Sequence, residues 1–215
     1  CMCNVLRIAI SYNSFDVLED GYGINLRPLS MFAASAYRDD PCTRFKPHIL
    51  DQNIYDVVDP GLVAKMHKAI TVIQFKVEGQ IIKRHPEYGL NHRCLLEHVD
   101  FDKGTVEVDG KTYPMLDMKF PTIDPKDPLK LTEQEAELLQ TLKMSFRHSG
   151  LLHKHIKFLY SHGSMYKCCN NNLLYHGCIP LKKDGSFDDI VFYGIPYSGK
   201  ALMDFVDQMV QSAYF

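Results

Sequence analysis

The chain has 215 residues, of which 46% are hydrophobic and 23% charged, and its formal net charge is −2. This length suits one large domain or one domain and a half, and the composition is that of a globular protein with enough apolar side chains for a core. The near-neutral charge gives no sign of a nucleic-acid or membrane partner, and no apolar run approaches the roughly 18 residues that span a bilayer.

The first part of the chain is predicted to be helical. Residues 3–12 and 28–37 each show the apolar spacing of a helix with one buried side, and Pro28 suits a first helical turn. The clearest helix begins at Asp59, an N-cap residue followed by proline. It is expected to stop before Pro86, because the residue preceding a proline is disfavoured in helical geometry.

A β-hairpin and a second long helix follow. Residues 104–113 alternate side-chain character on both sides of an Asp-Gly pair, which predicts a hairpin. Thr132 with Glu135 three residues later forms a capping box. The apolar spacing beyond this box predicts a helix to about Tyr160 that can kink at Gly150.

Residues 164–180 are predicted to form two short strands joined at asparagines 170–172, because asparagine tolerates left-handed backbone angles. The apolar run 173–175 is typical of a buried strand. His176 follows at the strand end, where an imidazole is well placed to bind a metal ion, and Gly177 lets another group approach the backbone. A core histidine satisfied by a hydrogen bond is the alternative interpretation of a lone His-Gly pair.

The seven cysteines are odd in number and scattered, and they include no C-x-x-C pair. This pattern argues against a secreted disulfide framework and predicts a reducing compartment, so a cytoplasmic location is expected. A zinc site made of Cys168, Cys169, His176 and Cys178 is disfavoured, because adjacent residues of a strand point to opposite faces. The chain begins at Cys1 rather than at a methionine, which favours a fragment or a processed product.

Several stretches of the chain are similar, in their amino-acid sequence and in their order along the chain, to the central portion of the members of one enzyme family. The most specific of them reads Asn-Leu-Leu-Tyr-His-Gly-Cys-Ile-Pro. The chain thereby resembles, over essentially its whole length, a class III fructose-1,6-bisphosphatase of the type found in Firmicutes and related bacteria. The stretches that carry this resemblance are residues 18–29, 39–42, 163–166, 172–180 and 197–202.

The resemblance implies an α/β (α+β) fold, part of the β-sandwich flanked by helices that is found in calcineurin-like metallophosphoesterases. It implies hydrolysis of fructose 1,6-bisphosphate to fructose 6-phosphate and phosphate in gluconeogenesis, with two divalent ions, usually manganese. His176 matches the strand-ending histidine that is a metal ligand in that superfamily. Asn172 and Tyr175 flank it, and they are expected either to orient this ligand or to serve only turn formation and core packing.

Under the same resemblance the chain is expected to divide into three parts. Residues 1–48 correspond to a helical part of the phosphoesterase core, residues 49–130 to a family-specific insertion with a helix and a hairpin, and residues 131–215 to core that includes the metal-ligand strand. The superfamily's Asp-x-His, Gly-Asp-x-x-Asp-Arg, Gly-Asn-His-Asp/Glu and later Gly-His motifs are absent. The chain is therefore expected to be an internal fragment that is inactive alone.

A sugar bisphosphate is the expected substrate, no nucleic-acid or membrane partner is expected, and a homo-oligomer is left open. A second hypothesis, of a different class, is a non-catalytic helical interaction module without a metal. Manganese binding that is lost in His176→Ala would separate the two. Basic residues near predicted turns or helix ends are candidates for phosphate contacts, with solvated surface charge as the alternative: Arg27, Arg44, Lys83, Arg84 and Arg147.

Overall fold

The computed structural model describes residues 2–48 and 59–215, which belong to two compact units. Unit 1 ends at Ser149, and unit 2 comprises Gly150–Phe215. The start of the predicted insertion, residues 49–58, lies outside the described residues. The three predicted parts assign stretches of the chain to regions of a family fold, whereas the two units are defined by how compactly their residues pack. The predicted division therefore stays a prediction.

Unit 1 is built around its third helix. The α-helices that the structure describes in this unit are α1 (Met2–Ser11), α2 (Arg27–Ala36), α3 (Pro60–Arg84) and α4 (Glu133–His148). Helix α3 packs against both α1 and α2, and α2 also packs against α4. Apolar side chains at three- and four-residue spacing on α3 supply this contact surface, and they are almost fully removed from water. The helices predicted in this part of the chain are confirmed.

Two helices begin where the sequence predicts, with the expected capping hydrogen bonds. At α3, the side chain of Asp59 accepts a hydrogen bond from the backbone N–H of Gly61 at 3.0 Å. At α4, Thr132 Oγ1 accepts from the N–H of Glu135 at 3.1 Å, and Glu135 Oε2 accepts from the N–H of Thr132 at 2.8 Å. These bonds satisfy donors that a helix start leaves unpaired, which explains why the helices begin there.

The strands described in unit 1 form one antiparallel sheet in the order β1–β2–β3. Their bounds are Val99–Asp100, Thr105–Val108 and Lys111–Pro114. Asp109 and Gly110 join β2 to β3 with φ angles of 50° and 71°, and two positive angles in succession are those of a type I′ turn. The predicted hairpin is confirmed. Short helical turns complete the unit at Val17–Gly21, Thr43–Phe45, Pro86–Tyr88, Asn91–Arg93 and Leu95–His98.

Two lysines of α3 are buried and paired with carboxylates. Lys68 Nζ lies 2.6 Å from Asp40 Oδ2 and 2.7 Å from Asp117 Oδ2, and Lys76 Nζ lies 2.8 Å from Glu135 Oε2. Burial by itself raises the pKa of the Asp40 carboxyl, but the hydrogen bond from Lys68 helps to outweigh it, so this pKa lies below its ordinary value. These pairs tie α3 to the loops and the helix around it.

Unit 2 combines two helices with two separate hairpins. The helices are α5 (Gly150–His162) and α6 (Gly199–Tyr214). Strands β4 (Tyr166–Cys169) and β5 (Asn172–Tyr175) pair antiparallel, as do β6 (Ile190–Phe192) and β7 (Ile195–Tyr197). Within residues 150–215, all of which the structure describes, the one large apolar side chain that is buried is Leu202 of α6.

The helical stretch predicted from Thr132 to about Tyr160 is confirmed, but next to the expected kink at Gly150 it divides into α4 and α5. Helix α4 ends at His148, and Ser149 has an extended backbone with ψ at 95°. The hydroxyl of Ser149, the last residue of unit 1, donates a 2.6 Å hydrogen bond to the carbonyl oxygen of Tyr22 in the same unit. A contact 127 residues away in sequence therefore overrides the local helical pattern.

The fold class is mixed α and β, as predicted. The described strands form sheets of three, two and two strands, all with antiparallel pairing. The calcineurin-like sandwich stays a prediction. In the part of the chain that the structure describes, no helix combines the length and the apolar character needed to cross a membrane.

Candidate functional site

The β4–β5 hairpin carries the candidate metal ligand. Its turn lies at Asn170 and Asn171, whose φ angles are 49° and 59°, so asparagines do supply the left-handed backbone that the sequence predicts. Cys169 pairs with Asn172, the first residue of β5. The Asn172 side-chain amide donates a 3.2 Å hydrogen bond to the carbonyl oxygen of Asn170. Asn172 therefore stabilises the turn.

His176 directly follows β5, and its side chain is exposed. Its imidazole makes no hydrogen bond or ion pair with any residue in 2–48 or 59–215. The alternative interpretation, a core histidine satisfied by a hydrogen bond, is therefore wrong for the described chain. Both ring nitrogens remain available, and a neutral imidazole nitrogen is a common metal ligand.

The structure brings no complete metal site together around this histidine. Across residues 2–48 and 59–215, no three His, Cys, Asp or Glu side chains lie close enough to hold one ion. A structural zinc ion takes four protein ligands, and even catalytic zinc sites take three. The thiols of Cys168, Cys169 and Cys178 are free and exposed.

The prediction that β5 is buried is wrong for the described chain. Leu173, Leu174 and Tyr175 are 48%, 55% and 48% exposed. Successive side chains of a strand point to opposite faces, so exposure of neighbouring residues means that neither face of the hairpin is covered. A two-stranded hairpin cannot bury its own residues, because only further strands or helices can cover them.

Gly177 has a conformational role rather than a packing role. Its φ is 98°, in the region that favours glycine, and a Cβ built on it would meet no described atom within 4 Å. The expected close approach of another group to this backbone is therefore not found among the described residues. The glycine instead lets the chain turn immediately after His176.

Replacing Gly177 by alanine is expected to destabilise the turn after β5 by about 1–2 kcal/mol, because an L-residue is strained at this positive φ. Gly150→Ala is the matched control, since Gly150 begins α5 and a Cβ there also meets no atom within 4 Å. The control is expected to be neutral or slightly stabilising. Amide hydrogen exchange of β4 and β5 measures the effect, and equal exchange in the two variants would contradict the assigned role of Gly177.

Helix α6 anchors the hairpin through polar contacts. The hydroxyl of Tyr166, which pairs with Tyr175 across the hairpin, donates to Asp204 Oδ1 at 2.8 Å. Asp204 Oδ2 accepts from Lys200 Nζ at 2.5 Å, and the backbone N–H of Met165 donates to an Asp207 carboxylate at 3.0 Å. The hydrogen bond to Asp204 raises the pKa of the Lys200 ammonium. Lys200 is thus paired within unit 2.

Sequence analysis missed these two aspartates. The four-residue spacing of Lys200 and Asp204 on one helix is a local sign of their ion pair. The contacts of Asp204 and Asp207 with β4 join residues about forty positions apart and have no comparable sign in the sequence.

The basic residues proposed for phosphate contacts all lie in unit 1. Lys83 forms an ion pair with Glu97 at 3.0 Å, whereas Arg27 and Arg44 line different cavities. Their role in binding phosphate stays a prediction. His176 lies in unit 2.

Comparison with known proteins identifies one family. The family model described as Firmicute fructose-1,6-bisphosphatase matches residues 1–215. Similar curated proteins named fructose-1,6-bisphosphatase class 3 come from Clostridium novyi, Finegoldia magna and Bacteroides fragilis, at 49%, 52% and 48% identity. The matches cover 100%, 98% and 100% of this chain and 32%, 33% and 32% of those proteins. The chain thus spans about a third of the length of these relatives, and no solved structure matches it.

Proposed function

The chain belongs to the Firmicute fructose-1,6-bisphosphatase family, and on this premise we propose that it forms part of a phosphatase that converts fructose 1,6-bisphosphate to fructose 6-phosphate and phosphate. The observation that carries the proposal is the family match over the whole chain, together with about 50% identity to relatives of that name. The proposed reaction is gluconeogenic, and the proposed substrate is a sugar bisphosphate.

We further propose that His176 holds one of two divalent ions, with manganese as the preferred metal. Support comes from an exposed imidazole at a strand end without a hydrogen-bond partner among the described residues. When bound, such ions lower the pKa of a water molecule and stabilise charge on the transferred phosphate. The other ligands would come from outside the described residues, because no metal-binding group is found within them.

Asn172 and Tyr175 would position His176 rather than bind the metal. Asn172 stabilises the turn at one end of β5 through its bond to Asn170. Tyr175 lies opposite Tyr166, whose hydroxyl is bonded to Asp204 of α6. Strand β5, which ends just before His176, is therefore held at its turn and through its partner strand, and a fixed strand fixes the position of the ligand.

We also propose that the chain forms part of a calcineurin-like β-sandwich. Its support is the apolar character of β5 on both faces, since Leu173 and Leu174 point to opposite sides. Strands that are apolar on both faces are typical of sheets covered on both sides. The relatives are about three times as long as the matched region, so a family protein has ample further chain to cover this hairpin. Three free, exposed thiols suit the proposed cytoplasmic location.

The test is manganese-dependent release of phosphate from fructose 1,6-bisphosphate. It compares the 215-residue chain with a longer protein that contains this chain and has the full length of the relatives. We expect activity from the longer protein and none from the chain alone, because the described residues supply one of several required ligands. Activity of the longer protein on other phosphate esters, but not on this one, would retain the reaction and reject the substrate.

A further inference from the structure

A polar cleft lies between α1 and α3 in unit 1, and the proposed hydrolysis assigns no role to the residues that line it. Its volume is about 520 Å³, which lies within the size range of small-molecule sites. Arg7 of α1 and Arg93 of the turn Asn91–Arg93 both line it, as does Glu78 of α3. We call this feature the α1–α3 cleft. Both positive and negative side chains therefore face one small space.

Arg7 is held in a fixed position within this cleft. Its Nε donates to Gln74 Oε1 and its Nη2 donates to Asn4 Oδ1, both at 3.0 Å. Gln74 is more than nine-tenths buried, and its Nε2 donates to Glu78 Oε1 at 2.7 Å. A guanidinium has five N–H donors, so two bonds leave Arg7 with three donors for a ligand. Its positive charge is thus positioned before any ligand arrives.

Arg93 supplies a second cation. Its side chain is exposed, and its guanidinium forms no hydrogen bond or ion pair with the described part of the chain. The network of Arg7, Gln74 and Glu78 explains how α1 is tied to α3 without using Arg93. Two guanidinium groups at one cleft, one fixed and one unpaired, are suited to a phosphate group, which accepts several charge-assisted hydrogen bonds.

Glu78 adds a hydrogen-bond acceptor to the lining of the cleft. Its Oε1 accepts from Gln74, which leaves Oε2 to accept hydrogen bonds from hydroxyl groups. Phe75, also at the cleft and partly exposed, offers an apolar surface for a carbon ring. We propose that the α1–α3 cleft binds a phosphorylated sugar, with the phosphate at Arg7 and Arg93 and the hydroxyls at Glu78.

The proposal is tested by calorimetric titration of the 215-residue chain in its His176→Ala form, which removes the candidate metal ligand. The probes are fructose 6-phosphate, inorganic phosphate and fructose. We expect fructose 6-phosphate to bind most tightly, because it alone carries both the phosphate and the hydroxyls. Arg93→Ala is expected to weaken its binding about tenfold or more, the effect of losing hydrogen bonds to a charged group.

Matched variants separate the parts of the site. Glu78→Gln is expected to weaken fructose 6-phosphate binding without weakening phosphate binding, since glutamine can still accept from Gln74. Lys111→Ala, which removes an exposed cation of β3 that does not line the cleft, is the control and is expected to change neither. Equal affinity of Arg93→Ala and its parent, or phosphate binding as tight as that of fructose 6-phosphate, would overturn the proposal. Either result leaves the proposed hydrolysis at His176 unaffected.

Discussion

Replacing Lys76 by methionine is expected to lower the free energy of unfolding of unit 1 by about 3–5 kcal/mol, the typical cost of breaking a buried ion pair from one side. The side chains of Lys76 and Glu135 are both completely buried, and their charged atoms lie 2.8 Å apart. Lys76 also donates to the carbonyl oxygen of Thr122 at 2.5 Å. Methionine fills similar space but leaves the Glu135 charge without its partner.

The environment of Glu135 makes this loss severe. Its Oε2 accepts from Lys76 and from the backbone N–H of Thr132, whereas its buried Oε1 has no hydrogen-bond partner among the described residues. Without Lys76 the carboxylate would depend on a single hydrogen bond. A buried charge with so little compensation is among the most costly groups in a protein interior.

The matched control is the double variant Lys76→Met/Glu135→Gln. Glutamine can still accept the capping hydrogen bond from Thr132, as glutamine does in many capping boxes, but it carries no charge. The double variant should therefore regain most of the stability lost in the single variant. Amide hydrogen exchange of α3 and α4 under urea measures both. If the single and double variants are equally stable, the charge of Glu135 is not what makes the substitution costly.

The second large effect is expected at His176. In the full-length protein, His176→Ala should lower manganese-dependent phosphate release from fructose 1,6-bisphosphate by several orders of magnitude. Loss of a group that merely orients a metal ligand typically costs 10–100-fold, and loss of the ligand itself should exceed this range. Manganese affinity should fall in parallel, because the alanine offers no nitrogen to the ion.

Two controls give this experiment its specificity. His92→Ala removes an exposed histidine in unit 1 and should leave manganese binding and activity unchanged. Asn172→Ala removes a side chain that stabilises the turn, so a smaller loss is expected than for His176→Ala. A His176→Ala protein that binds manganese as well as its parent would show that His176 is not a ligand. The family membership would stand, but the assignment of the ligand would not.

Features controlled by nearby residues were predicted well from the sequence. The capping box of Thr132 and Glu135, the N-cap at Asp59 and the turn at Asp109 and Gly110 all occur as expected. Each depends on hydrogen bonds or backbone angles within about four residues, so the necessary information is contiguous. The same holds for the stretches that identify the family, because they are runs of adjacent residues.

Features that depend on distant residues were not predicted. Lys68 and Lys76 lie on the packed side of α3, where a lysine is ordinarily unexpected, and their carboxylate partners are 28 to 59 residues away. Likewise, the sequence predicts a helix that can kink at Gly150, but the complete break there coincides with the hydrogen bond from Ser149 to Tyr22. No local pattern contains these partners.

The sequence by itself determined the family, the caps and turns, and the identity of His176 as the candidate ligand. Only the tertiary structure decided which charges are buried, where α4 ends and how much of β5 is exposed. Burial was harder to predict from the sequence, because it depends on which two surfaces pack together and not on any single residue. Leu173 and Leu174 have the apolar character of a covered strand, yet they stay exposed in this chain because no described element lies over them.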